Sequence, residues 1–340
     1  MSRTYGLFYF CTNQTSWKLH TLYLRIKDHQ DQIFTLLKWA SIPLVFAALG
    51  YQVFVQQSFS ESLLLFKNNL TWATLPFFIL VILLMPINLG TEAYKWKVLL
   101  LKTHNLSFFE SLRGVFAGIS FSIFTPKRIG EYAGRLLLVG KKKMSAAGSL
   151  FVGNFAQTIA NLMIGLIATL LFFKKFTVQL DEATWLIPLS IFLIMLLFVA
   201  YFSIEKIHRF FSRVSRIEHI VSKVNVISTY PKQTLFSLFS LSILKYTVYI
   251  IQFVLLLFAF GIELRFFDAL LAAACVFFVK TMLPLPASVE LAARGSIAIF
   301  FFGYLTQNHI GILVASIVLW VVNLGLPAVL GSYFITKKRI

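Results

Sequence analysis

Apolar residues run through this chain in long blocks. Those at 36–56, 72–89, 145–173, 184–204, 234–261 and 309–335 each approach the length of a membrane-spanning helix. Crossing about 30 Å of hydrocarbon takes roughly 20 apolar residues in a helix. Backbone amides in lipid must find their partners within the protein, so blocks of this length predict helices. Two more stretches, 111–139 and 266–304, are apolar but broken by proline, glycine and charge. The pattern therefore predicts an all-α, polytopic helical membrane protein, with a cytoplasmic segment over 1–35 and a single integral membrane domain over 36–340.

The two broken stretches resemble each other. Phe108-Phe109-Glu110-Ser111-Leu112 matches Phe266-Phe267-Asp268-Ala269-Leu270, and a proline, Pro126 or Pro284, stands 16 residues after each acid. Each copy then carries Glu-x-x-x-Arg, Glu131 with Arg135 and Glu290 with Arg294. Three spans lie between the copies, so the second enters from the opposite side. This predicts two inverted-topology repeats, each with a broken re-entrant hairpin, at about 108–139 and 266–304. Such pairs point to a transporter site near the midplane. A duplication kept only for packing leaves the same trace.

Four ionisable residues at bilayer depth would cost about 10 kcal/mol if they faced lipid, so Glu131, Arg135, Glu290 and Arg294 are expected to face inward. Glutamate four residues ahead of arginine places both on one helix face in the favourable order. Such a pair either grips a ligand or only holds the hairpin. The first hairpin turns at Thr125-Pro126-Lys127-Arg128-Ile129-Gly130 and the second at Leu283-Pro284-Leu285-Pro286, with Lys280 just before it. Pro126, Gly130, Pro284 and Pro286 break the helices. Free N–H groups at the start of each returning half-helix, with Lys127 and Arg128, would suit a lipid phosphate. Asn154, Gln157 and Asn161 form a polar stripe that serves either interhelix hydrogen bonding or a substrate path. Lys245 and Tyr249 read as a snorkelling cation and an interface anchor. The basic, apolar alternation over 205–229 predicts an amphipathic helix on the cytoplasmic leaflet, facing anionic lipids.

Composition agrees with a lipid environment: mean hydropathy is +0.80, 58% of the 340 residues are hydrophobic and 13% are charged. The net charge of +18 raises nucleic acid as a partner. The basic residues instead gather in short loops, no nucleic-acid motif accompanies them, and none is expected as a partner. With the N-terminus inside, the cytoplasmic loops hold most lysines and arginines, while Lys67, Lys174, Lys175 and Arg265 fall outside. The C-terminal Lys337-Lys338-Arg339 is then inside as well. Cys11 and Cys275 make no disulfide framework. The scattered histidines show no metal spacing, Asp28 and Asp31 read as solvated carboxylates, and no phosphate loop, nucleophile elbow or dinucleotide fingerprint is present. No metal and no cofactor is expected.

Thr125-Pro126-Lys127-Arg128-Ile129-Gly130-Glu131 through Arg135 resembles the transmembrane domain of lysylphosphatidylglycerol synthases and their stand-alone flippase-like relatives. Asn88 to Trp96, with Glu92-Ala93 and Lys95-Trp96, is similar to the family's pattern after its second span, and Leu283-Pro284 through Glu290 and Arg294 to its second proline motif. Ala287-Ser288-Val289 and Ala292-Ala293 stand where many relatives have more glycine. The resemblance covers most of 36–335. It implies an integral protein of a bacterial-type cytoplasmic (inner) membrane that moves a phospholipid or other lipid-linked headgroup between leaflets through a cleft between the hairpins. The soluble aminoacyl-transferase part of the fused synthases has no counterpart here, so lipid aminoacylation is not expected. The expected substrate contacts are Lys127, Arg128, Glu131, Arg135, Asn154, Gln157, Lys280, Glu290 and Arg294. Two alternatives stay open: a membrane-embedded transferase acting on a polyprenyl-phosphate-linked substrate, with Glu131 or Glu290 as base, and a non-catalytic subunit of an envelope-assembly complex. The oligomeric state, a homo-oligomer included, is open.

Overall fold

A computed structural model describes residues 64, 71–123, 125, 129–137, 139–140, 143–176, 186–213, 218–283 and 287–337. The 36–56 block and the 1–35 segment lie outside the described residues, as do Pro126, Lys127, Arg128, Pro284 and Pro286. Every regular element among the described residues is helical. The helices are α1 (Leu75–Leu100), α2 (Phe108–Ser122), α3 (Gly130–Leu137), α4 (Lys143–Phe176), α5 (Leu186–Phe202), α6 (Ile204–Phe211) and α7 (Glu218–Lys223). A 3-10 turn (Asn225–Thr229) leads into α8 (Lys232–Ala259), α9 (Phe266–Met282), α10 (Ala287–Phe302), α11 (His309–Trp320) and α12 (Leu326–Lys337).

Four of these helices are long and apolar enough to cross a membrane: α1, α4, α8 and the run His309–Ile335 through α11 and α12. The pair Ile187–Phe202 and Ile204–Phe211, bent by 75°, is a fifth candidate. The protein is an integral membrane protein. Its apolar residues divide as lipid requires, with Phe192, Met195 and Leu196 of α5 exposed, while α4, α8, α9, α10 and α11 bury Phe172, Phe253, Phe277 and Phe302.

Both broken stretches are helix, break, helix. Each helix begins with its repeated acid at the third position, where a carboxylate meets unpaired N–H groups. Glu110 completes a capping box with Ser107, accepting from the Ser107 N–H at 2.8 Å while its own N–H donates to Ser107 Oγ at 3.2 Å. Asp268 instead pairs with Lys175 of α4. At eight residues α3 is only about 12 Å long. It lies so close to α2 that a Cβ on Gly130 would strike the carbonyl of Phe121, and one on Gly134 that of Ala117. Of the half-helix N–H groups expected to be free, that of Gly130 is already taken by Thr125 Oγ1 at 2.6 Å.

Two features depart from the pattern. The stretch 205–229 is not one amphipathic helix but α6, α7 and the 3-10 turn, folded back so that buried His208 donates to the carbonyl of Val221 at 3.1 Å. Tyr230 pins its end, donating to Leu99 O at 2.6 Å and lying 2.8 Å from Ser149 Oγ. Burial pushes that phenol up to about 12, so it stays a donor at physiological pH. Between α11 and α12 the last span widens into a π turn, Val321–Gly325, with Leu326 N–H reaching Val321 O. Pro327, which has no N–H, sits just beyond, and a π turn accommodates its ring.

Candidate functional site

Glu92, about one turn past the end of the apolar block 72–89 in α1, organises the first group of charges. Its Oε1 accepts from Arg135 Nη2 of α3 at 2.8 Å. Its Oε2 accepts from Lys245 Nζ of α8 at 2.6 Å and lies 3.6 Å from Lys95 Nζ. Arg135 also pairs with Glu131, four residues earlier, and its guanidinium stands 5.7 Å from the Trp96 ring centroid. Protein, not lipid, buries the group: Arg135 is 1% exposed, as is Lys95. A buried charge is tolerated only when paired, and here one carboxylate serves helices α1, α3 and α8 at once.

The second group joins the hairpin of α9 and α10. Lys280 Nζ lies 2.5 Å from Glu290 Oε1. Arg294, fully buried, donates through Nη1 to the hydroxyl of Tyr249 at 3.2 Å. Lys280 also stands over the Tyr249 ring, 5.9 Å from its centroid.

A polar relay connects the groups. Lys95 Nζ donates to Gln157 Oε1 at 3.1 Å, Gln157 Nε2 to Asn161 Oδ1 at 2.9 Å, and Asn161 Nδ2 to Thr281 Oγ1 at 3.3 Å. The relay thus crosses from α1 over α4 to the break of the second hairpin. Beside it opens a cavity of about 150 Å³. Glu92, Glu131, Gln157, Asn161, Lys245, Tyr249, Lys280 and Thr281 line it, together with Asn88 and Asn323. Asn323 belongs to the π turn and accepts from Asn88 Nδ2 at 2.9 Å. The widened turn therefore delivers a polar side chain to the cavity wall, where a regular helix would continue its apolar ladder.

The model of the lysylphosphatidylglycerol synthase TM region family matches residues 38–335. The chain belongs to this family. No match exists among curated proteins or among solved structures. Membership makes it a membrane protein concerned with lipid, and the matched residues include both hairpins, the relay and the cavity.

Of the residues expected to meet a substrate, Glu131, Gln157 and Lys280 line the cavity of this family member. Arg135, Glu290 and Arg294 stand behind its wall, each within reach of a lining residue. Asn154 turns to Tyr132, whose hydroxyl accepts at 3.1 Å, and does not line it. Lys127 and Arg128 lie outside the described residues. Lys245 and Tyr249, expected to anchor at the interface, are corrected: both face the cavity, because Glu92 and Arg294 offer better partners than headgroup water. Glu92 and Lys95 were missed as site residues. Their signal was two opposite charges three apart at the end of an apolar block.

Proposed function

We propose that the protein is a lipid translocase in which the two hairpins admit a headgroup into the polar cavity while the acyl chains remain in the bilayer. The observation that carries this reading is the relay from Lys95 through Gln157 and Asn161 to Thr281, which gives a headgroup hydrogen-bonding partners from the first hairpin's charge group to the break of the second. Such groups are costly inside a membrane and typically mark substrate pathways. The hairpins enter from opposite faces in this account, Lys127 and Arg128 receive the headgroup at the first turn, and the membrane is the bacterial cytoplasmic one.

Transfer of a fluorescent phospholipid in proteoliposomes tests it. Glu131→Ala and Arg294→Ala are expected to reduce the rate at least about tenfold with folded protein retained, since each removes a charge from the buried groups, and Arg128→Ala to do the same by removing a cation proposed to receive the headgroup. Unimpaired transfer by all three would refute the site. Mass spectrometry of the recovered lipid addresses the transferase alternative, because a translocase returns its substrate unaltered.

A further inference from the structure

The family takes its name from a cationic lipid. A lysylated phosphatidylglycerol carries one phosphodiester negative charge and two ammonium groups, so its headgroup is net positive. The charge around this cavity is the wrong sign for such a guest. Five cations, Lys95, Arg135, Lys245, Lys280 and Arg294, face three carboxylates, Glu92, Glu131 and Glu290. The two carboxylates on the cavity wall are already held from behind: Glu92 by Arg135 and Lys95, and Glu131 by Arg135. The side chains of Lys245 and Lys280, by contrast, are 26% and 21% exposed and line the open space. Deeper in, Nε and Nη2 of the fully buried Arg294 have no hydrogen-bond partner among the described residues. A buried guanidinium with idle donors calls for an acceptor, and a phosphate oxygen is one.

We infer that this family member selects lipids with a net-negative phosphate headgroup and rejects the aminoacylated, net-positive ones. The inference deepens the translocase reading and rests on it only for transport, not for binding. Lys245 and Lys280 are the specificity-determining pair. At rest Glu92 and Glu290 hold them, and an entering phosphodiester takes over their Nζ donors, with Arg294 next in line behind Tyr249. An ammonium-rich headgroup meets two lysines instead, and like charges brought together in a low-dielectric cavity repel strongly. Gln157, Asn161 and Thr281 add neutral polar groups that can meet the glycerol of either headgroup, so the choice between them falls to the two lysines.

The experiment measures both binding and transfer with three lipids that differ in headgroup charge: phosphatidylglycerol, phosphatidylethanolamine and lysylphosphatidylglycerol. Binding is read by native mass spectrometry of the purified full chain in detergent, and transfer in proteoliposomes. Phosphatidylglycerol is expected to bind at least about tenfold more tightly than the lysylated lipid, the scale of one unpaired charge at a partly solvated site. Lys245→Gln and Lys280→Gln should each narrow that ratio, while Lys245→Arg and Lys280→Arg keep it, which separates charge from loss of fold. Equal or tighter binding of the lysylated lipid overturns the inference. Anion-selective binding without any transfer upholds it and sinks the translocase reading instead. Inorganic phosphate competing as strongly as phosphatidylglycerol would overturn the assignment to a lipid.

Discussion

Glu92 carries more of this structure than any residue the apolar pattern brought forward. It has one carboxylate and three cationic neighbours, Lys95, Arg135 and Lys245. Removing one member of a buried ion group strands the rest, at a cost of about 3–5 kcal/mol, whereas an intact group adds little net stability. Glu92→Ala is therefore expected to lower thermal stability in detergent by that amount, and Lys245→Gln by much less, because Glu92 keeps Arg135. Tyr249 poses a smaller test. Tyr249→Phe takes the acceptor from Arg294 Nη1 and should cost about 1–3 kcal/mol, read by the same unfolding transition. An unchanged midpoint in Glu92→Ala would show that the group is solvated and not buried.

Among elements, the hairpin of α2 and α3 is the tightest joint. Its backbones meet at Gly134, where a side chain would collide with the carbonyl of Ala117, so Gly134→Ala is expected to destabilise by about 1–3 kcal/mol and Gly134→Leu to prevent folding. Folded Gly134→Leu protein of normal stability, judged by size exclusion and melting, would contradict this packing. The same scale shows what the sequence could reveal. The long helices α1, α4, α8 and the final span were legible because lipid imposes length and hydrophobicity directly on sequence. The matching of Glu110 and Asp268 was legible too, and both begin a helix, one through a capping box and the other through Lys175. The π turn at Val321–Gly325 was not legible, since Asn323 and Pro327 inside an apolar run look like any interrupted span. Nor was the breaking of 205–229, where a basic and apolar alternation fits one long helix as well as two short ones closed by His208. Site residues followed the same division. Glu131, Gln157 and Lys280 stand out as polar exceptions at bilayer depth, whereas the position of Lys245 near the start of the 234–261 block suits snorkelling equally well. Only the fold places Glu92 opposite it.

At the scale of the whole molecule, the proposed orientation follows from the charge of the loops. Placing the basic loops inside puts both termini in the cytoplasm and makes the two hairpins enter from opposite faces, which requires that α5 cross the membrane. A reporter fused after Ile340 should accordingly be active in the cytoplasm and silent outside. In the proposed translocase, opposed hairpins would let one cavity open to each leaflet in turn, which neither a transferase nor an assembly subunit requires. Thr281 lies on the cavity wall at the far end of the relay and differs little from cysteine in size. With Cys11 and Cys275 replaced by serine, Thr281→Cys in sealed vesicles of known orientation can be challenged with a membrane-impermeant thiol reagent from either side. Labelling is expected from both faces, slowed on each by added phosphatidylglycerol; labelling from one face alone, in protein that is folded, would contradict two-sided access to the cavity.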